Sequence, residues 1–352
     1  MQLLISVAVA GFATVVCMGL LRPLALRLNL VDVPGGRKSH LGKIPLIGGI
    51  GMFVGFVFAL LFTPISFEPF RALFAGGALM VFVGVLDDFN EMSPKLKFLL
   101  QIVAALIMIQ LGGVRLVALG NLFYQGDIFL PYILSVIVTV IATLGVMNAV
   151  NMTDGSDGLA GSLSLVEFGL LFYLAFTSHL YSEVLVICVM IGALLAYLSF
   201  NFPVYGRARA WAFMGDAGSL FIGFVLSWFL ISLSQEPLSI ASPMVFVWIV
   251  AIPLFDATAA ILRRLMKRQS PMLPDAKHLH HLLLRLGCNR VMTVLIMGAL
   301  SFVMGVTGIM LHKIGFLDCW LFEFFIWTFV IYMLFIYLGW QSVERRTSVK
   351  ER

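Results

Sequence analysis

Charge is what this chain has least of: Asp, Glu, Lys and Arg make up 12% of its 352 residues, against about 25% in an ordinary soluble domain. Hydrophobic residues supply 61%, and the mean hydropathy is +1.03. A soluble fold of this length has no use for so much apolar surface. Cysteine is equally sparse. Cys17, Cys188, Cys288 and Cys319 show no CxxC spacing. That excludes a disulfide framework and leaves them as small buried hydrophobes. No internal repeat or low-complexity tract is present, and with no basic domain beyond short loops a nucleic-acid partner is a poor reading. The apolar runs do not alternate, so a β-barrel is excluded. No Lys or Arg precedes the first apolar run, whereas Arg22 and Arg27 follow it. A cleavable leader has its positive charge first. The run is therefore read as a retained span with an external N-terminus, although Ala8-Val9-Ala10 within it resembles a cleavage triplet.

What is there is a series of long apolar runs. A membrane-crossing helix needs about 20 mostly apolar residues. Runs of this kind lie near 3–21, 44–63, 70–86, 98–111, 130–147, 160–177, 183–200, 218–234, 242–262, 291–311 and 318–340. They predict an all-α polytopic membrane protein with about 11 transmembrane helices, folded as one integral domain over 1–352. Threaded from an external N-terminus, the loops on one side carry 20 of the 23 Lys and Arg residues. By the positive-inside rule that side is cytoplasmic, as is the C-terminus. The net charge of +5 is thus a signal of topology first and an attraction for anionic membrane lipids second.

The chemistry-bearing residues fall in the same loops. The first is Gly- and Pro-rich and holds Arg37, Lys38, His40 and Lys43. It serves either as a positive-inside anchor or as an anion site. The second opens on Asp87-Asp88, two carboxylates at a span's end that need solvation or a cation, and leads to Lys97. In the third, Asn148, Asn151, Asp154 and Asp157 recur every three residues, with Gly155 and Gly158 directly after the two Asp. A 3₁₀-like helix end would stack these oxygens along one face. Amide and carboxylate oxygens suit a hard cation such as Mg²⁺. The fourth contains Asn201, Arg207, Arg209 and Phe213-Met214-Gly215-Asp216, with Asp216 at the start of the next span. Phe213 suits either the interface or stacking on a flat base. The fifth carries Arg263, Arg264, Lys267 and Arg268, then His278-Leu279-His280-His281. His278 and His281 would share a helix face. Zinc is a poor reading, since no H-E-x-x-H pattern completes a site; phosphate contact or proton transfer by His fits better.

Clustered Asp and Asn oxygens, a His cluster and several cations on one face form an inventory for divalent-metal phosphoryl transfer. The loops on the other side hold nothing comparable, which favours an enzyme at the inner face over a transporter of an anionic solute. Glu167, Glu183 and Glu323, in or at the ends of spans, are the features that support the transporter.

In their order, Asp87-Asp88, the Asn148–Leu159 run, Phe213-Met214-Gly215-Asp216 and His278-Leu279-His280-His281 resemble the polyprenyl-phosphate N-acetylhexosamine-1-phosphate transferases. The likeness covers about 30–285 of the chain. The His-x-His-His form, with Asp256 in Ile252-Pro253-Leu254-Phe255-Asp256, is similar to the bacterial undecaprenyl-phosphate N-acetylglucosamine-1-phosphate branch. The resemblance implies transfer of a sugar-1-phosphate from a UDP-N-acetylhexosamine to undecaprenyl phosphate in the bacterial inner membrane, at the head of O-antigen or other cell-surface polysaccharide synthesis. It implies Mg²⁺, with Mn²⁺ as the alternative, held by Asp216 and Asn151. Lys97 would contact the diphosphate, with Asn201 and Phe213 on the uridine. Asp87 or Asp88 would orient the acceptor or take its proton, and these two with His278 are the expected catalytic residues. His278, His280 and His281 would belong to the nucleotide-sugar site, alongside Lys43, Asn148, Asp154, Asp157 and Arg263 as substrate contacts. A homodimer is the expected assembly. The last two spans carry no motif and are expected to serve packing alone.

Overall fold

The computed structural model describes residues 1–33, 42–202, 210–270 and 277–350, with side chains as far as 345. Arg37, Lys38, His40, Arg207 and Arg209, singled out in the sequence, lie outside these residues. Among the described residues the regular structure is helical, apart from one antiparallel pair of two-residue strands, β1 (Val31–Asp32) and β2 (Ile44–Pro45).

Among the described residues, nine helices are long and apolar enough to cross a membrane. They are α1 (Gln2–Arg27), α3 (Arg71–Phe89), α4 (Pro94–Gly112), α5 (Tyr132–Thr153), α6 (Leu159–Thr177), α7 (Tyr181–Asn201), α8 (Gly215–Ser232), α12 (Arg290–Lys313) and α13 (Asp318–Lys350). Two expected spans take other forms. The run at 44–63 yields only the 13-residue α2 (Gly48–Leu60). The run at 242–262 is broken into α9 (Pro243–Ile249) and α10 (Ala251–Met266), bent by 80°. Pro253 accounts for the break: it donates no N–H and its ring clashes with the carbonyl four residues earlier, at Ile249. A short α11 (Leu279–Arg285) precedes α12.

The most deeply buried helix is α8, nearly every residue of which is enclosed by its neighbours. It packs against α2, α3 and α5, while α1 leans on α2 and α7. Lipid is as apolar as leucine, so helices in a bilayer associate through close packing rather than hydrophobic burial. Small residues supply that closeness here. Phe224 and Phe221 of α8 lie over Gly76 and Gly77 of α3. Phe221 also meets Phe53 and Phe56 of α2 edge-on, at 5.4 and 5.6 Å between ring centres. At Gly49 a methyl group would strike the backbone of Gly218, and at Gly84 it would strike that of Ala217. The start of α8 is thus wedged backbone-to-backbone between α2 and α3.

Helix ends follow local rules. Ser93 caps α4 by accepting the Leu96 N–H, Pro94 occupies the first turn, and Gly113 ends the helix in the left-handed region at φ 68°. This fixes Lys97 in the first turn of α4, one residue beyond the capped amide.

Candidate active site

Four helix ends meet at one point: the last turns of α3 and α5 and the first turns of α4 and α8. Lys97 Nζ donates to Asp87 Oδ2 at 3.0 Å and makes a short ion pair with Asp216 Oδ2. Asp87 Oδ1 accepts the Met92 N–H at 2.7 Å. The other oxygen of Asp216 accepts from Asn151 Nδ2 at 2.8 Å, and the same amide reaches Ser219 Oγ at 2.8 Å. Asp88 engages the backbone of the same turn of α8 instead of Lys97. Its oxygens accept the backbone N–H groups of Asp216, at 2.9 Å, and Ala217, at 3.3 Å. They bind the positive end of α8 from a neighbouring helix. Gly215 is required at this junction, because its φ is +70° and a side chain there would run into the Asp88 carboxylate.

The evenly spaced oxygens of the third loop do not share one face. The α-helical turns of α5 continue through Thr153, so no 3₁₀ stack forms. Asn148 points to α4 and donates to Gln101 Oε1 at 2.8 Å. Asn151 points to α8. Asp157, past the helix end, takes Arg290 Nη1 of α12 at 2.9 Å. Three of the four residues therefore tie three different helices together. Asp154 is the C-cap of α5. Burial, with the carboxylates of Asp216, Asp157 and Asp32 nearby, pushes it up to about 7.

Asn201 holds two loops rather than opening toward solvent. Buried at the end of α7, it accepts the Gly158 N–H at 2.7 Å and donates to the Ala212 carbonyl at 2.9 Å. Phe213 follows in an extended segment zipped to the chain after β2: its N–H reaches Pro45 O, and Gly48 N–H reaches its carbonyl, both at 2.9 Å. The residues 44–49, 154–158 and 210–216 thus form one continuous platform beside the carboxylates. Phe213 is half-buried on it. Lys43, at its border, is exposed and donates to Asn29 Oδ1 at 2.9 Å.

The histidines adjoin the same platform. His280 lies against Gly155, where any side chain would strike its ring. Its ring is buried, and its nitrogens have no hydrogen-bond partner among the described residues. Burial, reinforced by His281, lowers it to about 3, so it is neutral at pH 7. The His280 and His281 rings are 4.0 Å apart, and His278 stacks parallel to His280 at 5.7 Å. His278 is the N-cap of α11, with its Nδ1 3.0 Å from Asp256 Oδ2. The shared helix face expected for His278 and His281 gives rings 6.3 Å apart. Arg263 Nη2 donates to the Lys277 carbonyl at 2.9 Å, tying α10 to the return of the chain.

Sequence reasoning passed over several partners. Gln101 and Ser219 carried no local signal, being ordinary span residues, and Arg290 read only as one of the positive charges of the fifth loop. Tyr332 of α13 hydrogen-bonds Asp256 at 2.8 Å. With Arg290, it gives the last two spans more than a packing role. A buried Asp256 within an apolar run was the one visible clue.

Residues 70–234 match the family model described as glycosyl transferase family 4. The chain is 36% identical to the undecaprenyl-phosphate alpha-N-acetylglucosaminyl 1-phosphate transferase of Yersinia pestis, over 94% of this chain and 90% of the relative. It is 35% identical to the Salmonella typhi protein of the same name, over 96% and 92%, and to that of Haemophilus influenzae, over 95% and 93%. The chain belongs to glycosyl transferase family 4. The family segment contains Asp87, Asp88, Lys97, the Asn148–Asp157 run, Asn201, Phe213 and Asp216; the His cluster and Arg263 fall after it. As a member of this family with its many apolar helices, the protein is a multi-pass membrane protein.

Proposed function

We propose that the protein transfers N-acetylglucosamine-1-phosphate from UDP-N-acetylglucosamine to undecaprenyl phosphate, giving undecaprenyl-diphospho-N-acetylglucosamine and UMP. The observation that carries this is that relatives at 33–36% identity over most of the chain bear the name of that transferase. The geometry suits it. The lipid acceptor keeps its phosphate at headgroup level, where the helix ends bearing Asp87, Lys97 and Asp216 converge. A phosphate monoester has a second pKa near 6, so much of the acceptor is dianionic at pH 7. Direct attack therefore needs little base catalysis. An acceptor phosphate oxygen attacks the β-phosphorus, and the bond from that phosphorus to the bridging oxygen breaks as UMP leaves. Lys97 attracts the diphosphate. Asp87, paired with Lys97, orients the acceptor or takes its last proton, while Asp88 keeps the start of α8 in place. Phe213 stacks on uracil. His278, His280 and His281, with Lys43, Arg263, Asn148, Asp154, Asp157 and Asn201, line or support the nucleotide-sugar side.

The site suits Mg²⁺ or Mn²⁺. Asp87 and Asp216 already converge on one cationic group, Lys97 Nζ, and the donors beside them are hard oxygens. Asp216 and Asn151 would hold the ion, which when bound neutralises charge on the diphosphate. Among the described residues no group of three or more His, Cys, Asp or Glu forms a closed metal cage. An ion that keeps several waters needs none.

In this reading the protein sits in the bacterial inner membrane with about eleven membrane-entering segments, its N-terminus periplasmic and its site and C-terminus cytoplasmic; the distribution of Lys and Arg supports that orientation. The test is UMP release by detergent-purified protein given UDP-N-acetylglucosamine, Mg²⁺ and undecaprenyl phosphate. Lipid-dependent, EDTA-sensitive release is expected, with other UDP-N-acetylhexosamines poorer donors. Well-folded protein that releases no UMP from any of them would overturn the proposal.

A further inference from the structure

Behind the histidines lies a buried network that the reaction outlined above leaves without a role. Asp256 sits inside α10, 3% exposed, and its two oxygens receive three hydrogen bonds. Oδ2 meets His278 Nδ1 at 3.0 Å. Oδ1 accepts the Leu279 N–H at 3.0 Å and the Tyr332 O–H at 2.8 Å. Leu279 opens α11 and His278 is its N-cap. One carboxylate thus caps α11 from another helix and grips the ring just before it.

A carboxylate oxygen only accepts, so the shared proton belongs to Nδ1 of His278. The ring makes no other hydrogen bond among the described residues, which leaves Nε2 open. Its plane is set by parallel stacking on His280 at 5.7 Å and 9°, and His280 rests on Gly155 of the platform. Two turns along α10 from Asp256, Arg263 holds the carbonyl of Lys277. The backbone on both sides of His278 is therefore tied to one helix.

We infer that Asp256 and Tyr332 are positioning residues that hold His278 with its proton on Nδ1 and its Nε2 presented to the nucleotide-sugar donor. The inference rests on the placement of His278 in the donor site. Tyr332 makes α13 part of that arrangement: its hydroxyl shares Oδ1 of Asp256 with the Leu279 N–H and keeps the carboxylate from turning away. The titratable and charged groups around the ring are Asp256 and Arg263 from α10, His280 and His281 from α11, and Tyr332 from α13. A carboxylate that only anchored α11 would make the same contacts. The difference lies in whether its effect on turnover passes through His278.

Asp256→Asn preserves shape but can turn an N–H toward Nδ1, driving the proton to Nε2. Partners of this kind cost about 10- to 100-fold when removed. That loss is expected in kcat, with KM for the lipid acceptor unchanged and a displaced pH–rate profile. Tyr332→Phe is expected to cost several-fold. In a His278→Gln background neither change should cost more than about twofold, because residues acting through one group are not additive. Nitrogen-15 shifts of the His278 ring at pH 8 provide a readout independent of turnover: a protonated Nδ1 and bare Nε2 in the unaltered protein, and the reverse in Asp256→Asn. Full turnover by Asp256→Asn, an equal cost with and without His278, or a protonated Nε2 in the unaltered protein would each overturn the inference. Should Asp256→Asn fail to fold, Tyr332→Phe carries the same cycle. If the unaltered protein releases no UMP, the proposed reaction fails, and the ring shifts still decide how His278 is held.

Discussion

The Asp88 carboxylate accepts the backbone N–H of Asp216 at 2.9 Å. Asp88 therefore acts on the residue assigned to the metal without touching its side chain. A hydrogen bond to a charged group is worth about 1.5–3 kcal/mol. Asp88→Asn is expected to lower the unfolding midpoint in detergent and to weaken the divalent-ion dependence of turnover. The same geometry argues against Asp88 as a covalent nucleophile, since both of its oxygens are engaged at α8. With undecaprenyl phosphate omitted, a single turnover should release no UMP; a burst of one equivalent would place a phospho-sugar on the enzyme and sink this reading.

Lys97 pairs with both Asp87 and Asp216. Lys97→Met should reduce turnover by about 10²-fold, the usual consequence of removing a charge aimed at the reacting group. Lys97→Arg should rescue little, because a planar fork does not fit between two carboxylates set for a point charge. Steady-state UMP release measures both. Activity within threefold of normal in Lys97→Met would remove Lys97 from the site.

Asp154 and His280 each give the platform a pH dependence with a definite sign. Asp154 is raised to about 7 in the folded protein, from an ordinary value near 3.8. Between those values the folded state holds the extra proton, so stability falls as pH rises toward 7. His280 is lowered to about 3 from 6.5. There the unfolded state holds the extra proton, so stability falls as pH drops below 6.5. The two windows overlap with opposite slopes, so in the unaltered protein they largely offset one another between the ordinary values of the two groups. Thermal midpoints in detergent should uncover each separately: Asp154→Asn should leave a midpoint that drops as pH falls below 6.5, and His280→Gln one that drops as pH rises toward 7. An unchanged profile in either variant would contradict the assignment for that residue.

Glu167 lies fully buried in α6, and neither carboxylate oxygen has a hydrogen-bond partner among the described residues. A buried polar group without a partner costs about 1–3 kcal/mol. Glu167→Leu is expected to raise the unfolding midpoint and leave UMP release unchanged. Loss of release from a stabilised variant would show that this carboxyl works in the reaction.

Much of this architecture was legible because apolar length and the residues at span ends are local properties. The helices carrying Asp87, Lys97, Asn151 and Asp216 stand where the hydropathy put them. The bend at Val250 was not foreseen, although Pro253 announces it, because an apolar run of normal length masks a break within it. Asn148, Asn151 and Asp157 were legible as polar residues with work to do, but not as ties to three separate helices. Their even spacing is read along the chain, while their partners, Gln101, Asp216 and Arg290, are distant along it. Asn201 shows the same limit: its type suits a ligand contact, and only the fold shows its amide bonded to Gly158 and Ala212.

The backbone contacts of Gly49 with Gly218 and of Gly84 with Ala217 leave no side chain as a spacer around the first turn of α8. A helix held that way has nowhere to slide. Asp216 is consequently a stationary reference point, and substrates of different shape must come to it. Adaptation to a new sugar can then proceed by exchanging residues on the platform side, with the phosphate-handling carboxylates left where they are.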